Sequence, residues 1–136
     1  MVWESNATYA GFSSAKPWLP IPHEHVARAA NREEGDRASV LSAYRRLIAF
    51  RHAHPALVKG AIAFVDTPPD VLGFLRSTAE ETVLCLFNLG TAPATVRLPA
   101  GLDVAALEGH GFTATLDAAA RTVRLGGRVV FFGKKA

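Results

Sequence analysis

The sequence predicts a mainly β protein. It reads as a C-terminal antiparallel β-sandwich of Greek-key type, preceded by one long α-helix and an irregular N-terminal segment. Three observations carry this reading. Beyond residue 60 the chain consists of short apolar runs separated by turn residues about every ten positions, as sandwich strands require. One segment, Asp36–Leu57, repeats its apolar residues at helical spacing. The first 35 residues hold both tryptophans, Trp3 and Trp18, with Pro17, Pro20 and Pro22, yet follow neither period.

The N-terminal stretch is too rich in aromatic residues for a disordered tail. Long irregular segments in compact proteins usually pack against something, so an ordered segment is expected, with part of its packing partner outside this sequence. Val26, Ala29 and Ala30 form at most a short helical turn before Gly35.

In the helix, Val40, Leu41, Tyr44, Leu47 and Ile48 recur every three or four residues, and Ala43, Ala49 and Phe50 broaden the apolar face. Asp36 stands at the expected N-cap, and Glu33 is placed to pair with Arg37. Arg51, His52 and His54 suit the negative C-terminal pole, and Pro55 ends the helix. A face this broad predicts a helix held between two bodies, with Leu47 and Phe50 left on an uncovered side.

The strands are expected at Ala61–Val65, Val71–Arg76, Thr82–Asn88, Ala94–Leu98, Asp103–Leu107, Phe112–Leu116, Arg121–Leu125 and Arg128–Phe132. DTPPD at 66–70 and STAEE at 77–81 supply turns, and Gly109, Gly111, Gly126 and Gly127 read as turn glycines. Val83–Phe87 is apolar on both faces, which marks a central strand covered on both sides. Domain boundaries of 1–57 and 58–136 follow.

At 136 residues, with 49% hydrophobic and 20% charged residues and a net charge of +3, the chain falls among globular proteins with their own core. Its arginines are scattered without interleaved aromatics, so no nucleic-acid platform is read. No apolar run approaches the ~18 residues of a membrane span, and MVWESNATYA lacks the pattern of a signal peptide. The lone Cys85 lies in an apolar run and reads as a buried thiol, which points to a reducing, cytoplasmic setting.

Candidate chemistry is sparse. His23-Glu24-His25 is the most metal-like cluster, with His52 or His54 as conceivable third ligands, but the spacing favours solvated loop histidines and a helix-terminus role. No metal site and no cofactor are therefore expected. Glu33, Glu34, Asp66, Asp70, Glu80, Glu81 and Asp117 all sit at turns or helix ends, and none lies in the apolar context that tunes a general acid. There is no G-x-S-x-G, P-loop or G-x-G-x-x-G, and Cys85 has no activating neighbour. No catalytic residue is read from the sequence.

MVWE at 1–4, AGFS at 10–13, KPWLP at 16–20 and SVLSAYRRLIAFRHAHPAL at 39–57 occur in the order seen in α-glucosidases and oligo-1,6-glucosidases. DVLGFLR at 70–76 and TVLCLFNLG at 82–90 follow them. The chain thus resembles the C-terminal portion of these enzymes of the α-amylase superfamily (glycoside hydrolase family 13). The resemblance implies that residues 1–57 are the loop after strand 8 and helix 8 of a (β/α)8 barrel, and that 58–136 form the C-terminal sandwich. It implies an α-glucoside or oligosaccharide substrate in the context of the full enzyme only. The Asp nucleophile, the Glu acid/base and the Asp of Asn-His-Asp have no counterpart here, so the chain is expected to be structural and inactive alone. Trp3, Glu4 and Phe12 would be loop residues on the substrate side of the barrel. Alternative roles are a carbohydrate-binding sandwich using Trp3 or Trp18, and an interaction domain that self-associates through the uncovered helix face.

Overall fold

The computed structural model describes residues 1–136. Most of its regular structure is antiparallel sheet, with a few helices, so the mainly β expectation holds. The chain divides into two compact units, Met1–Arg46 and Leu47–Ala136.

In the first unit a 3-10 turn, Thr8–Gly11, is followed by α1 (His23–Ala27), α2 (Ala30–Glu33) and the opening of α3 (Val40–Ala53). The N-terminal strand-like segment is stitched by its backbone. Trp3 and Glu4 donate to the Ala10 carbonyl, while Ala30 and Asn31 donate to the carbonyls of Val2 and Trp3. The Ser5 amide completes the seam by donating to Asn31 Oδ1 at 3.1 Å. Only Val2, Ala10 and Ala29 are buried apolar side chains here, with Ile21 packed against them. The segment is therefore ordered by hydrogen bonds around a very small core.

The start of α3 differs from expectation. Asp36 turns its carboxylate to the Ala38 amide at 2.8 Å and is spent in that turn. Ser39 is the N-cap: its hydroxyl accepts the Ser42 amide at 3.1 Å and donates to the Glu33 carbonyl at 2.8 Å. Glu33 does not pair with Arg37; its Oε2 accepts the Leu41 amide at 3.0 Å, and Glu34 pairs with Arg45 instead. Two orphan amides of the first turn are thereby satisfied.

The second unit contains the end of α3, α4 (Pro55–Lys59) and eight strands: β1 (Ala61–Phe64), β2 (Val71–Ser77), β3 (Thr82–Asn88), β4 (Ala94–Arg97), β5 (Val104–Ala106), β6 (Thr115–Asp117), β7 (Thr122–Leu125) and β8 (Val130–Lys135). They form a five-stranded sheet in the order β1-β2-β3-β8-β5 and a three-stranded sheet in the order β4-β7-β6. The strands interdigitate as a sandwich. Leu84 and Leu86 of β3, Phe131 of β8, Val96 of β4 and Val123 and Leu125 of β7 share one core. Alternate residues serve the other face. Val83, Cys85 and Phe132 pack with Phe50 of α3 and with Ala56 and Leu57 of α4.

Phe50 is thus buried at 6% exposure, against the expectation that it would face away from the strands. Its ring meets Phe132 at 4.9 Å, His54 at 4.7 Å and His110 at 5.2 Å between centroids. Leu47, also expected on the uncovered side, is half-buried and lines a small cavity with Phe50 and Phe132. The large exposed apolar residues of α3 are Val40, Tyr44 and Ile48, one stripe at four-residue spacing. The last turns of α3 join the sandwich core, and the two compact units divide inside this helix.

Strand ends shift for identifiable reasons. β6 begins at Thr115 rather than at residue 112, because the Phe112 amide donates to His110 Nδ1 at 3.2 Å instead of entering a ladder. His110 in turn donates from Nε2 to the Leu107 carbonyl at 2.9 Å, which fixes the buried ring in one tautomer. β8 starts later than Arg128, whose positive φ of 57° is incompatible with a strand, and runs on to Lys135 between β3 and β5. Gly127 is required here, since a Cβ at that position would lie 2.0 Å from the Thr91 carbonyl oxygen.

Glu81 locks the helices to the sheet. Its side chain is buried and accepts from His54 Nδ1 at 2.9 Å and from the Ala56 amide at 3.1 Å, with Lys134 Nζ at 3.9 Å. The Ala56 bond caps α4 from a neighbouring hairpin, in place of a side chain at His54, where the main chain breaks before Pro55. Burial alone would raise the Glu81 carboxyl. The hydrogen bonds from His54 and Ala56 and the charges of His54 and Lys134 outweigh it, and Glu81 is held below the usual 4.5.

Two outcomes follow. Leu86→Ala should lower unfolding free energy by about 2–5 kcal/mol in urea titration, because Leu86 is fully buried at the sheet centre. Glu81→Gln should cost about 1–3 kcal/mol at neutral pH. A lowered native carboxyl stabilises above the unfolded value and loses that contribution as pH falls through the native one. The gap between wild type and Glu81→Gln, followed by urea midpoints, should therefore be full above pH 4.5 and close below it.

Candidate functional site

A concavity of the first unit, about 710 Å³, is bordered by Val2, Phe12, Lys16, Trp18, Ile21 and His25, among others. Three prolines, Pro17, Pro20 and Pro22, hold its wall extended, since each fixes φ and denies its neighbour the helical region. Phe12 follows directly on the turn Tyr9–Gly11, where Tyr9, Ala10 and Gly11 take φ of 51°, 57° and 70°. Such left-handed backbone in two non-glycine residues is costly. It is held here by the paired bonds from Trp3 and Glu4 to the Ala10 carbonyl.

Of the three residues expected on a substrate-side loop, Phe12 borders this cavity and is 45% exposed. Trp3 and Glu4 do not border it. Trp3 is 48% exposed, and the Glu4 side chain lies against the turn, 3.1 Å from where a Gly11 Cβ would stand. The residue that dominates the cavity rim is Trp18, at 91% exposure. Its signal in the sequence is the KPWLP motif, where flanking prolines prevent a tryptophan from folding into a helix or sheet core.

The titratable groups offer little chemistry. His23 and His25 lie in the short helix α1 and are exposed. No group of three or more His, Cys, Asp or Glu side chains is placed to hold a metal ion. Cys85 is buried, and burial pushes its thiol up to about 12 against the weaker opposing charge of Arg76, so the thiol is inert. Glu81, read from the sequence as a turn residue, is the one buried carboxylate, but it is engaged by His54 and α4 and is held ionised. That is the opposite of what a general acid needs. No helix is long and apolar enough to cross a membrane.

Residues 1–60 match the family described as "Alpha amylase, catalytic domain". The chain is similar to a probable α-glucosidase of Rhizobium meliloti (strain 1021), 54% identical over 116 residues that cover 85% of this chain and 21% of that protein. It is also similar to a probable oligo-1,6-glucosidase 3 of Bacillus subtilis (strain 168), 32% identical over 79% of this chain and 20% of that protein. Among solved structures it superposes on the α-glucosyl transfer enzyme XgtA with a TM-score of 0.88 and 39% identity, covering 100% of this chain and 25% of that one. The trehalulose synthase MutB from Pseudomonas mesoacidophila MX-45 gives 0.82 and 34%, with 99% and 24% covered. The chain spans about a fifth of the length of the curated relatives it matches. With its motifs, its fold and its relatives in agreement along the chain, the protein belongs to the α-amylase family, glycoside hydrolase family 13.

Proposed function

We propose that this chain is the non-catalytic C-terminal portion of an α-glucosidase that hydrolyses terminal α-glucosidic bonds of oligosaccharides. Residues 1–57 would close a (β/α)8 barrel, and the sandwich would brace it. The observation that carries the reading is the 54% identity to a probable α-glucosidase over only 21% of its length. Retaining glycoside hydrolysis requires two carboxyls about 5–5.5 Å apart across the sugar, one with a raised pKa. The single buried carboxylate, Glu81, is lowered and lines none of the cavities described above.

The exposed stripe Val40, Tyr44 and Ile48 and the cavity beside Trp18 then serve as surfaces for the rest of the barrel. Without it, the helix stripe is a surface for self-association. Trp3, Glu4 and Phe12 would reach the substrate only within the complete enzyme. The buried free thiol suits a reducing, cytoplasmic setting, and neither nucleic acid nor membrane is among the partners we propose.

With a chromogenic α-glucoside, the purified chain should show no turnover above buffer. Hydrolysis that disappears on substituting one of its carboxylates would overturn the reading. Genomic sequence upstream of Met1 should continue in frame into a barrel with an Asn-His-Asp motif; an independent promoter and a stop codon there would count against it.

A second reading has its own observation, the nearly fully exposed Trp18 with Phe12 at the rim of a cavity of about 710 Å³. These are the elements of a carbohydrate-binding module, in which an aromatic face stacks on a sugar. On this reading, maltooligosaccharides change the tryptophan fluorescence of the chain but not that of Trp18→Ala. Unchanged emission across the titration removes it.

A further inference from the structure

From Asp103 to Thr122 a single residue is buried, His110, at 6% exposure. It lies in the connector 107–114, which carries the chain from β5 in one sheet to β6 in the other. Beyond the Leu107 amide, which donates to the Phe132 carbonyl, this connector makes no backbone–backbone hydrogen bond. Its two remaining bonds both belong to the His110 ring. Gly109 and Gly111 flank that ring at φ of 90° and 86°, and a Cβ on Gly109 would meet no atom within 4 Å. One imidazole therefore pins a connector that is mostly exposed and has little else to hold it.

The ring sits against Phe50 of α3 and Phe132 of β8, with centroids 5.2 and 5.1 Å away, and stacks on Phe112 at 6.0 Å. Its hydrogen bonds admit one proton only. Leu107 offers a carbonyl, which can only accept, so Nε2 carries the hydrogen. Phe112 offers an amide, which can only donate, so Nδ1 must be bare. A second proton, on Nδ1, would face the Phe112 N–H, and a charged ring cannot keep both bonds. No carboxylate pairs with the ring to hold that charge. On α3, His54 stacks on the same Phe50 but spends Nδ1 on Glu81, while Arg51 and His52 are exposed. On β8, Lys134 lies 3.9 Å from Glu81 and Lys135 is exposed; on the connector, Glu108 is exposed.

We infer that His110 is a proton-operated latch. With a neutral ring it holds the connector against the joint between α3 and β8; a second proton on Nδ1 breaks the Phe112 bond and releases residues 108–114 between their glycines. The strands on either side are paired without this ring, so the sandwich stays folded. What opens is the aromatic cluster. Phe50 and Phe132 also line the small cavity with Leu47, so release uncovers the contact that ties the helix to the sheet. Free imidazole gains its proton at about pH 6.5, which places the switch in mild acid. The contribution of Glu81 fades only below 4.5, so the two acid responses are separable. The inference is independent of the proposed function, because it concerns one ring within the second unit.

NMR spectra of the nitrogen-labelled chain, recorded from about pH 7.5 to about pH 5, follow the ring and the backbone together. At the upper end the His110 ring should carry its hydrogen on Nε2. On acidification it should gain a second proton, and the amides of 108–113, Phe112 among them, should shift with the same midpoint. Those of Leu84, Leu86 and Val123 in the core should stay in place. His110→Phe keeps an aromatic side chain, and His110→Gln keeps a neutral donor and acceptor; in both, the connector should lose the response. Glu81→Gln should retain it. A ring that already holds two protons at the upper end overturns the inference, as does a Phe112 amide that does not follow the ring. So does a connector response that persists in His110→Phe or His110→Gln, or that Glu81→Gln abolishes. Core amides that move at the same midpoint also overturn it, since that is unfolding and not release.

Discussion

The structure depends on one strand being buried from both sides. Val83 to Leu86 of β3 are all at or below 1% exposure, and they divide by parity. Leu84 and Leu86 enter the sandwich core, while Val83 and Cys85 enter the layer beneath the helices. A strand in this position cannot slip by one residue without exchanging its two apolar sets, so its register is fixed by both layers at once. β2 and β8 inherit that register as its neighbours. β7 and β4 then close the core from the second sheet.

The helical layer is joined to that strand by polar rather than apolar specificity. Glu81 immediately precedes β3, and its carboxylate meets the break between α3 and α4, where His54 and the Ala56 amide both present protons. A buried carboxylate is ordinarily expensive. Here one unsatisfied amide of a helix start, that of Ala56, with a histidine and a lysine supplies what water would have supplied. The same arrangement explains why this carboxylate is structural: it is held ionised, with its lone pairs occupied, and has no reason to exchange a proton with a substrate.

The two compact units contrast in how they are held. The sandwich has a continuous apolar core, whereas residues 1–46 bury only three apolar side chains and leave Trp18, Val40 and Tyr44 exposed. Their order comes from backbone bonds and proline stiffness instead. A unit built this way has more apolar surface than its own core can use. That is the physical basis for reading it as a piece of a larger barrel, in agreement with relatives several times its length.

The sequence by itself determined the strand count, the central place of β3, the buried thiol, the helix and the family, because period-two and period-3.6 patterns and the PWLP and helix motifs are local. It did not decide which side of the helix would be covered: Phe50 turned inward and Val40, Tyr44 and Ile48 outward, since a broad apolar face does not say which part of it a sheet will choose. Nor did it show Ser39 displacing Asp36 as the cap, Glu81 reaching across to α4, or His110 halting a strand. Each of these is a bond between residues whose proximity is created by the fold. Of the loop residues Trp3, Glu4 and Phe12, Phe12 alone borders the cavity beside Trp18, just after a left-handed turn at Tyr9–Gly11 that no residue pattern announces.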